Sequence, residues 1–234
     1  MGENNIMYEE EFQRIIKASQ NHSLSFFVGA GVSSLSGAPS WKKLIQQICI
    51  QIKQPSKDEY SSDENLRIPQ IFYHSINEDK EQYYKFIEDN LIHEELCPNE
   101  VHKALLSFNP VSFITTNFDD LLETAAIQYC QSFISVACDS EVAKINGDKY
   151  ILKLHGDLKH KNIVFKEEDY LNYSENFKLI ETLLKSIFST NTVVFIGYGL
   201  NDYNIKLVLN WAKSLLKDHF NKPIFIYTDS SPLC

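Results

Sequence analysis

Short apolar runs that each stop at a glycine or a compact polar residue constrain this chain most: LSFFV (24–28), VSFITTN (111–117), YILKLHG (150–156), VVFIG (193–197) and PIFIY (223–227). Each is a strand's length and too short to span a bilayer. Between them, apolar residues recur at helical spacing: Phe12, Ile15 and Ile16 within 8–20, then Trp41, Leu44, Ile45, Ile48 and Ile52 after a Gly/Ser loop. Further helical patterns follow in FDDLLETAAIQYC, in 167–188 and in NDYNIKLVLNWAKSLLKDHF. Strands that read as continuous apolar runs are buried on both faces, and their alternation with helices predicts a mainly parallel sheet covered on both sides.

The strand, glycine turn and helix at 24–52 are how a Rossmann-like nucleotide-binding α/β fold opens. Residues 54–109 differ in character, being polar and tyrosine-rich. They carry helical patterns at IPQIFYHSI, EQYYKFIEDNLI and EVHKALLSF, broken at Asn77–Asp79 and at Pro98-Asn99. They are expected to form a helical insertion within one domain spanning 1–234. The chain ends at TDSSPLC, close behind an expected core strand; a compact stand-alone form and a piece of a longer protein both fit.

A net charge of -9 argues against a broad basic footprint, so no nucleic acid is expected to bind, although a local pocket for an anionic ligand is compatible with it. The start MGENNIMYEEEF lacks the layout of a secretory signal, and Ile6 stands where a myristoylation signal needs Ser or Thr. A cytoplasmic protein with no membrane contact is the expectation. The five cysteines (49, 97, 130, 138 and 234) contain no C-x-x-C pair, a spacing that supports neither a zinc site nor a disulfide framework. His22, His74, His93, His102, His160 and His219 have no ligand-like spacing and read as surface or helix-face residues. Tyr170-x-x-Tyr173 reads as helix packing, with one ring a candidate to line a pocket.

Ligands of open α/β sheets sit at the carboxyl ends of the strands, which is where this chain concentrates its polar chemistry. Gly29-Ala30-Gly31 is an incomplete G-x-G-x-x-G, with Ser34 in the third position, and a ligand-free tight turn accounts for it equally well. Asn117 and Asp119 follow the second strand and would also serve as helix caps. His155-Gly156 ends the third expected strand, and Gly197-Tyr198-Gly199-Leu200 forms another strand-end glycine turn.

Taken in order, GAGVSSLSGAPSW, TTNFDDLLE, LKLHGDL and FIGYGLND resemble the sirtuin (SIR2) signature, and more closely the SIR2-like branch of prokaryotic anti-phage defence proteins. The resemblance runs from about Phe27 to Asn204. It implies cofactor-binding roles for Gly29, Ala30, Gly31, Ser33, Pro39, Gly197, Tyr198, Gly199 and Leu200, and catalytic roles for Asn117, Asp119 and His155. Two departures matter. The paired-cysteine zinc module that sirtuin deacylases carry after the His-Gly motif has no counterpart in Asp157–Asp169, and Ala38-Pro39-Ser40-Trp41 replaces their usual continuation.

The resemblance therefore implies an NAD glycohydrolase that cleaves the nicotinamide–ribose bond to give nicotinamide and ADP-ribose. NAD would be the substrate and no metal would be required. In this expectation Asn117 orients the ribose or the attacking water, His155 is the general base, Asp119 supplies negative potential, and amides of the 29–31 turn face the pyrophosphate. A binding module that senses NAD or ADP-ribose is the alternative reading, with an NAD-dependent deacylase third. Relatives of this kind imply an activating partner or fused domain, and a homo-oligomer.

Overall fold

The computed structural model describes residues 2–91, 96–198 and 220–226, with a few positions between 206 and 217. Its centre is a six-stranded parallel sheet in the order β3-β4-β2-β1-β5-β6. The strands are β1 (Leu24–Val28), β2 (Ser112–Thr115), β3 (Ile134–Val136), β4 (Tyr150–Lys153), β5 (Thr192–Ile196) and β6 (Ile224–Ile226). Helices cover both faces, which is the expected Rossmann-like class.

The register explains how apolar runs feed two cores at once. Phe27 lies between Ile114 and Phe195 while Ile114 continues to Leu152 and Val136, and this row faces one layer. There it meets Tyr173, Phe177, Ile180, Leu184, Ile187 and Phe188, contributed by α9 (Tyr173–Asn176), Phe177 and α10 (Lys178–Thr190). The neighbouring row, Phe26 with Phe113, Ile151, Val194 and Ile224, points the other way. It packs with Ile15, Ala18, Leu105, Leu106, Leu122, Ala125 and Ala126. These come from α1 (Gly2–Gln20), α6 (Glu100–Ser107) and α7 (Leu121–Gln128). Full burial of one such side chain contributes roughly 1.5–3 kcal/mol, so these two rows carry much of the folding free energy.

A third apolar cluster lies off the sheet. It joins α3 (Trp41–Gln51), α4 (Ser62–Ser75) and α5 (Lys80–Leu91) through Leu44, Ile45, Ile48, Phe72, Tyr83 and Ile87. Phe118 and Phe165, from the loops after β2 and β4, complete it. The helices between β1 and β2 thus divide: α3–α5 form a body beside the strand ends, whereas α6 belongs to a sheet layer.

Three differences from the sequence reading have local causes. β3 is absent from it, because three residues at a sheet edge, two of them only half-buried, leave no periodicity to detect. The segment 167–188 is not one helix. It breaks at Asn172 and Phe177 into α8 (Glu167–Leu171), α9 and α10. The start of α10 is capped from a distance by Asp139, whose carboxylate accepts from the amides of Leu179 and Ile180 at 3.0 Å each. His102 is fully buried rather than on a surface; its Nδ1 accepts from the Asn99 amide at the start of α6. The helix expected after β5 falls largely outside the described residues.

Two devices fix the carboxyl end of the sheet. Beyond β1 and β5 the backbone pairing continues, with Gly29 N–H donating to Ile196 O at 2.9 Å and Gly31 N–H to Gly197 O at 2.8 Å. The approach leaves no room for side chains: a Cβ on Gly29 would lie 2.4 Å from Gly197 O. Gly197 itself has φ +62, the left-handed region that favours glycine. The second device is Lys153, fully buried at the end of β4. Its ammonium donates to Asp119 O at 2.9 Å and to the Asp120 carboxylate at 2.7 Å, with Glu123 at 3.4 Å. Burial alone would lower the Lys153 pKa, but Glu123 and Asp120 outweigh it and hold it above its ordinary value. Burial pushes the Glu123 carboxyl upward, against the pull of Lys153.

Two stability measurements follow. Gly29→Ala should lose about 2 kcal/mol in urea unfolding, because backbone must move to admit the methyl group. Gly147→Ala should lose only about 1 kcal/mol: its φ of +88 is in the left-handed region, unlike the extended Gly29, but it has open space around it. Equal losses would show that the β1–β5 contact is not tight. Lys153→Ala should lose about 3 kcal/mol by leaving the Glu123 carboxylate uncompensated, and adding Glu123→Gln should recover a measurable part of that.

Candidate active site

The glycine turn after β1 leads into α2 (Ala30–Ser34), whose cap is the extended Gly29. Gly29 and Gly31 spend their amides on the β5 turn, so the expectation that amides of 29–31 face a ligand narrows to that of Ala30, which is exposed. The outer end of α2 is held from α6, where Asn99 Nδ2 donates to Val32 O at 2.9 Å and to Ser36 Oγ at 2.8 Å. Ser33, on the inner side of α2, is buried.

The loop after β2 is built from its first residue. Thr115 Oγ donates to Val28 O at 2.8 Å and accepts from Asn117 N–H at 3.0 Å, which turns the chain across the end of β1. Asn117 then reaches back, its Nδ2 donating to Ser33 Oγ at 2.9 Å. Asp119 accepts from Leu121 N–H, at the first residue of α7, at 3.2 Å. Its charge reaches further, opposing the downward push that burial exerts on His102.

His155 follows β4 by two residues and is 3% exposed. Its ring meets Tyr170 edge-on at 5.4 Å between centroids and Tyr173 at 6.5 Å. The turn behind it requires a glycine, since Gly156 has φ +67 and a Cβ there would lie 2.4 Å from Asn162 O.

These pieces surround one cavity of about 1260 Å³. Ala30, Ser33, Pro39, Asn117, Asp119, His155 and Tyr198 all line it. Asn117 and His155 therefore line the same space beside the first glycine turn, with both ring nitrogens of His155 buried in its wall. Gly29, Gly31 and Gly197 shape the floor through their mutual contact and do not line it. Gly199 and Leu200 lie outside the described residues.

Sequence reasoning missed several wall residues. Trp41, read as helix core, lines the cavity while its ring meets Phe165 edge-on at 4.6 Å. Of the tyrosine pair, Tyr170 lines the cavity and Tyr173 is buried in the core. Asp120, Glu123, Glu141 and Asp157 add carboxylates to the wall on the β3–β4 side. No local motif marks them, because they come from α7 and from loops separated in sequence and joined only by strand order. Among the described residues, no helix is long and apolar enough to cross a membrane.

Comparison with known proteins agrees with this architecture. Solved sirtuin structures share the fold: a Sir2 homologue–NAD complex superposes with a TM-score of 0.55 at 17% identity, covering 96% of this chain and 84% of that one. Defense-associated sirtuin 2 of Bacillus subtilis is 44% identical across the whole chain, which spans 23% of that protein. The NAD(+) hydrolase ThsA of Cytobacillus dafuensis is 25% identical over 87% of this chain and 41% of its own length. The chain thus spans less than half the length of these curated relatives. The model of the SIR2-like domain family matches residues 111–232, which carry the Asn117 loop, His155 and the β5 glycine turn, and the chain belongs to that family.

Proposed function

We propose that this chain is an NAD glycohydrolase, cleaving the nicotinamide–ribose bond with water to release nicotinamide and ADP-ribose. The observation that carries the reading is the convergence of Asn117 and His155 on one cavity at the carboxyl end of β1. Small-molecule sites run to roughly 1,000 Å³, so a cavity of about 1260 Å³ has room for a dinucleotide. Two of the relatives' names, defense-associated sirtuin and NAD(+) hydrolase, support a role in which NAD is consumed during anti-phage defence.

Breaking the C1′–N bond builds positive charge on the ribose as neutral nicotinamide departs. The wall chemistry suits that change, because Asp119 and the carboxylates beside it supply negative potential in a partly enclosed space. In this reading the Ala30 amide and Ser33 face the phosphates, with Pro39 and Tyr198 flanking the bound dinucleotide. Gly29, Gly31 and Gly197 act by holding the two turns together. Asn117, its amide nitrogen tied to Ser33, presents its carbonyl oxygen to the ribose hydroxyls or the attacking water. His155 accepts the proton released as water adds to C1′. An activating partner or fused domain, and self-association, belong to the same proposal, because the longer relatives leave most of their length outside this domain.

Nicotinamide release from NAD, followed with the purified chain alone and at concentrations that promote self-association, tests the reading. Wild type should release nicotinamide, His155→Ala should be slower by about 10²–10⁴-fold, and NAD binding by calorimetry should persist in the variant. Asn117→Ala should also lose release. Binding without release by wild type at every concentration would assign the chain to ligand sensing, and release only with an acyl-lysine peptide would assign it to deacylation. Ser33→Ala, which frees the Asn117 amide and removes a hydroxyl from the phosphate side, should lower kcat by roughly tenfold to a hundredfold and also raise KM. A change in KM alone would place Ser33 in binding rather than in orienting Asn117.

A further inference from the structure

The loops that follow β3 and β4 bring together a thiol, a carboxylate and an imidazole that the sequence separates by up to 22 positions. We propose that Cys138, Glu141 and His160 form a binding site for a thiophilic divalent cation of the zinc type. One ligand atom from each lies within 4.8 Å of the other two. Around a tetrahedral ion with bonds of about 2.0–2.3 Å, neighbouring ligand atoms stand roughly 3.3–3.8 Å apart. The His160 Nε2–Glu141 Oε1 edge, at 3.3 Å, is already within that range.

The surroundings are arranged as a cation site requires. Asp157, a buried carboxylate, accepts from His160 N–H at 2.7 Å and pairs with the ring Nδ1 at 2.8 Å. With the Nδ1 proton directed to Asp157, the Nε2 lone pair faces Glu141, the carboxylate–histidine pairing that orients imidazole ligands of metals. Glu141 is buried and held through its other oxygen, which accepts from Ala137 N–H at 2.9 Å. Asn162 straps the same two loops, its Nδ2 donating to Ala137 O at 2.7 Å and its Oδ1 accepting from Asp157 N–H at 3.0 Å. The competing cation is Lys144, 3.0 Å from Glu141 Oε1, on a side chain 61% exposed and therefore free to swing into solvent.

Binding forms metal–sulfur, metal–nitrogen and metal–oxygen bonds and releases the Cys138 thiol proton to solvent. Three protein ligands leave the fourth tetrahedral position for water. Glu141 and His160 line the cavity that holds Asn117 and His155, so the ion would brace its β3–β4 wall. The site shares a wall with the proposed reaction, but its test does not read NAD turnover.

Titrating the 234-residue chain with Co²⁺ and recording absorbance is the direct experiment. A thiolate-to-cobalt band should appear at one equivalent and be displaced by Zn²⁺. It should vanish in Cys138→Ser, while Cys130→Ser, at an exposed cysteine, should keep it. Zinc affinity by calorimetry should fall about 10–100-fold in Asp157→Asn, a change that preserves size and leaves all three ligands in place. The proposal is overturned if wild type shows no thiolate band, if the band survives in Cys138→Ser, or if Asp157→Asn binds zinc as tightly as wild type. Circular dichroism of each variant separates loss of the site from loss of the fold.

Discussion

The contact between the two glycine turns at the ends of β1 and β5 is the constraint from which the rest of the cavity follows. Two backbone hydrogen bonds carry the strand pairing past the sheet, and at Gly29 there is no space even for a methyl group. That closeness directs α2 across the sheet end and places Ser33 beneath the loop after β2. Thr115, bonded to the last carbonyl of β1, then directs Asn117 to the same point. The candidate site is thus positioned by main-chain geometry first and by side chains second.

The opposite wall is made differently. Where the β1 side relies on tight backbone contact, the β4 side relies on charge: Lys153 under the Asn117–Asp120 loop, and the Glu141, Asp157 and His160 group at the mouth of the loops. Lys153, Glu141 and Asp157 are buried while Asp120 and His160 reach solvent, so pairing at the buried members is stronger than at the surface but costs desolvation. A rigid wall and a charged wall facing each other across one space suit a reaction in which a cationic sugar centre develops next to a fixed phosphate anchor.

Much of this was legible in the sequence because the strongest signals were redundant. Each expected strand is marked by its own apolar run and by the turn residue behind it, and the ordered motifs mark the sheet ends. Asn117 and His155 could be placed at the sheet ends because each stands two residues beyond a buried strand. What was not legible depended on partners distant in the chain. β3 is defined by pairing with β4 and not by its own three residues. His160 looked isolated because Cys138 and Glu141 belong to another loop. His102 read as a surface or helix-face residue because its burial depends on α6 lying against the sheet, and Tyr170 separates from Tyr173 where α8 and α9 part at Asn172.

The buried ammonium at the end of β4 has one more implication, for the choice among alternative folds of the same chain. Residues 151 and 153 point to the layer of α7, and 152 to the aromatic layer of α9 and α10. Sliding β4 by a single position would turn Lys153 toward the apolar layer that includes Phe177, Leu184 and Phe188, away from Asp120 and Glu123. An all-apolar strand between two all-apolar layers has little reason to prefer one face over the other. A single charge that only one side can neutralise breaks that degeneracy, and the strand is thereby keyed to one alignment.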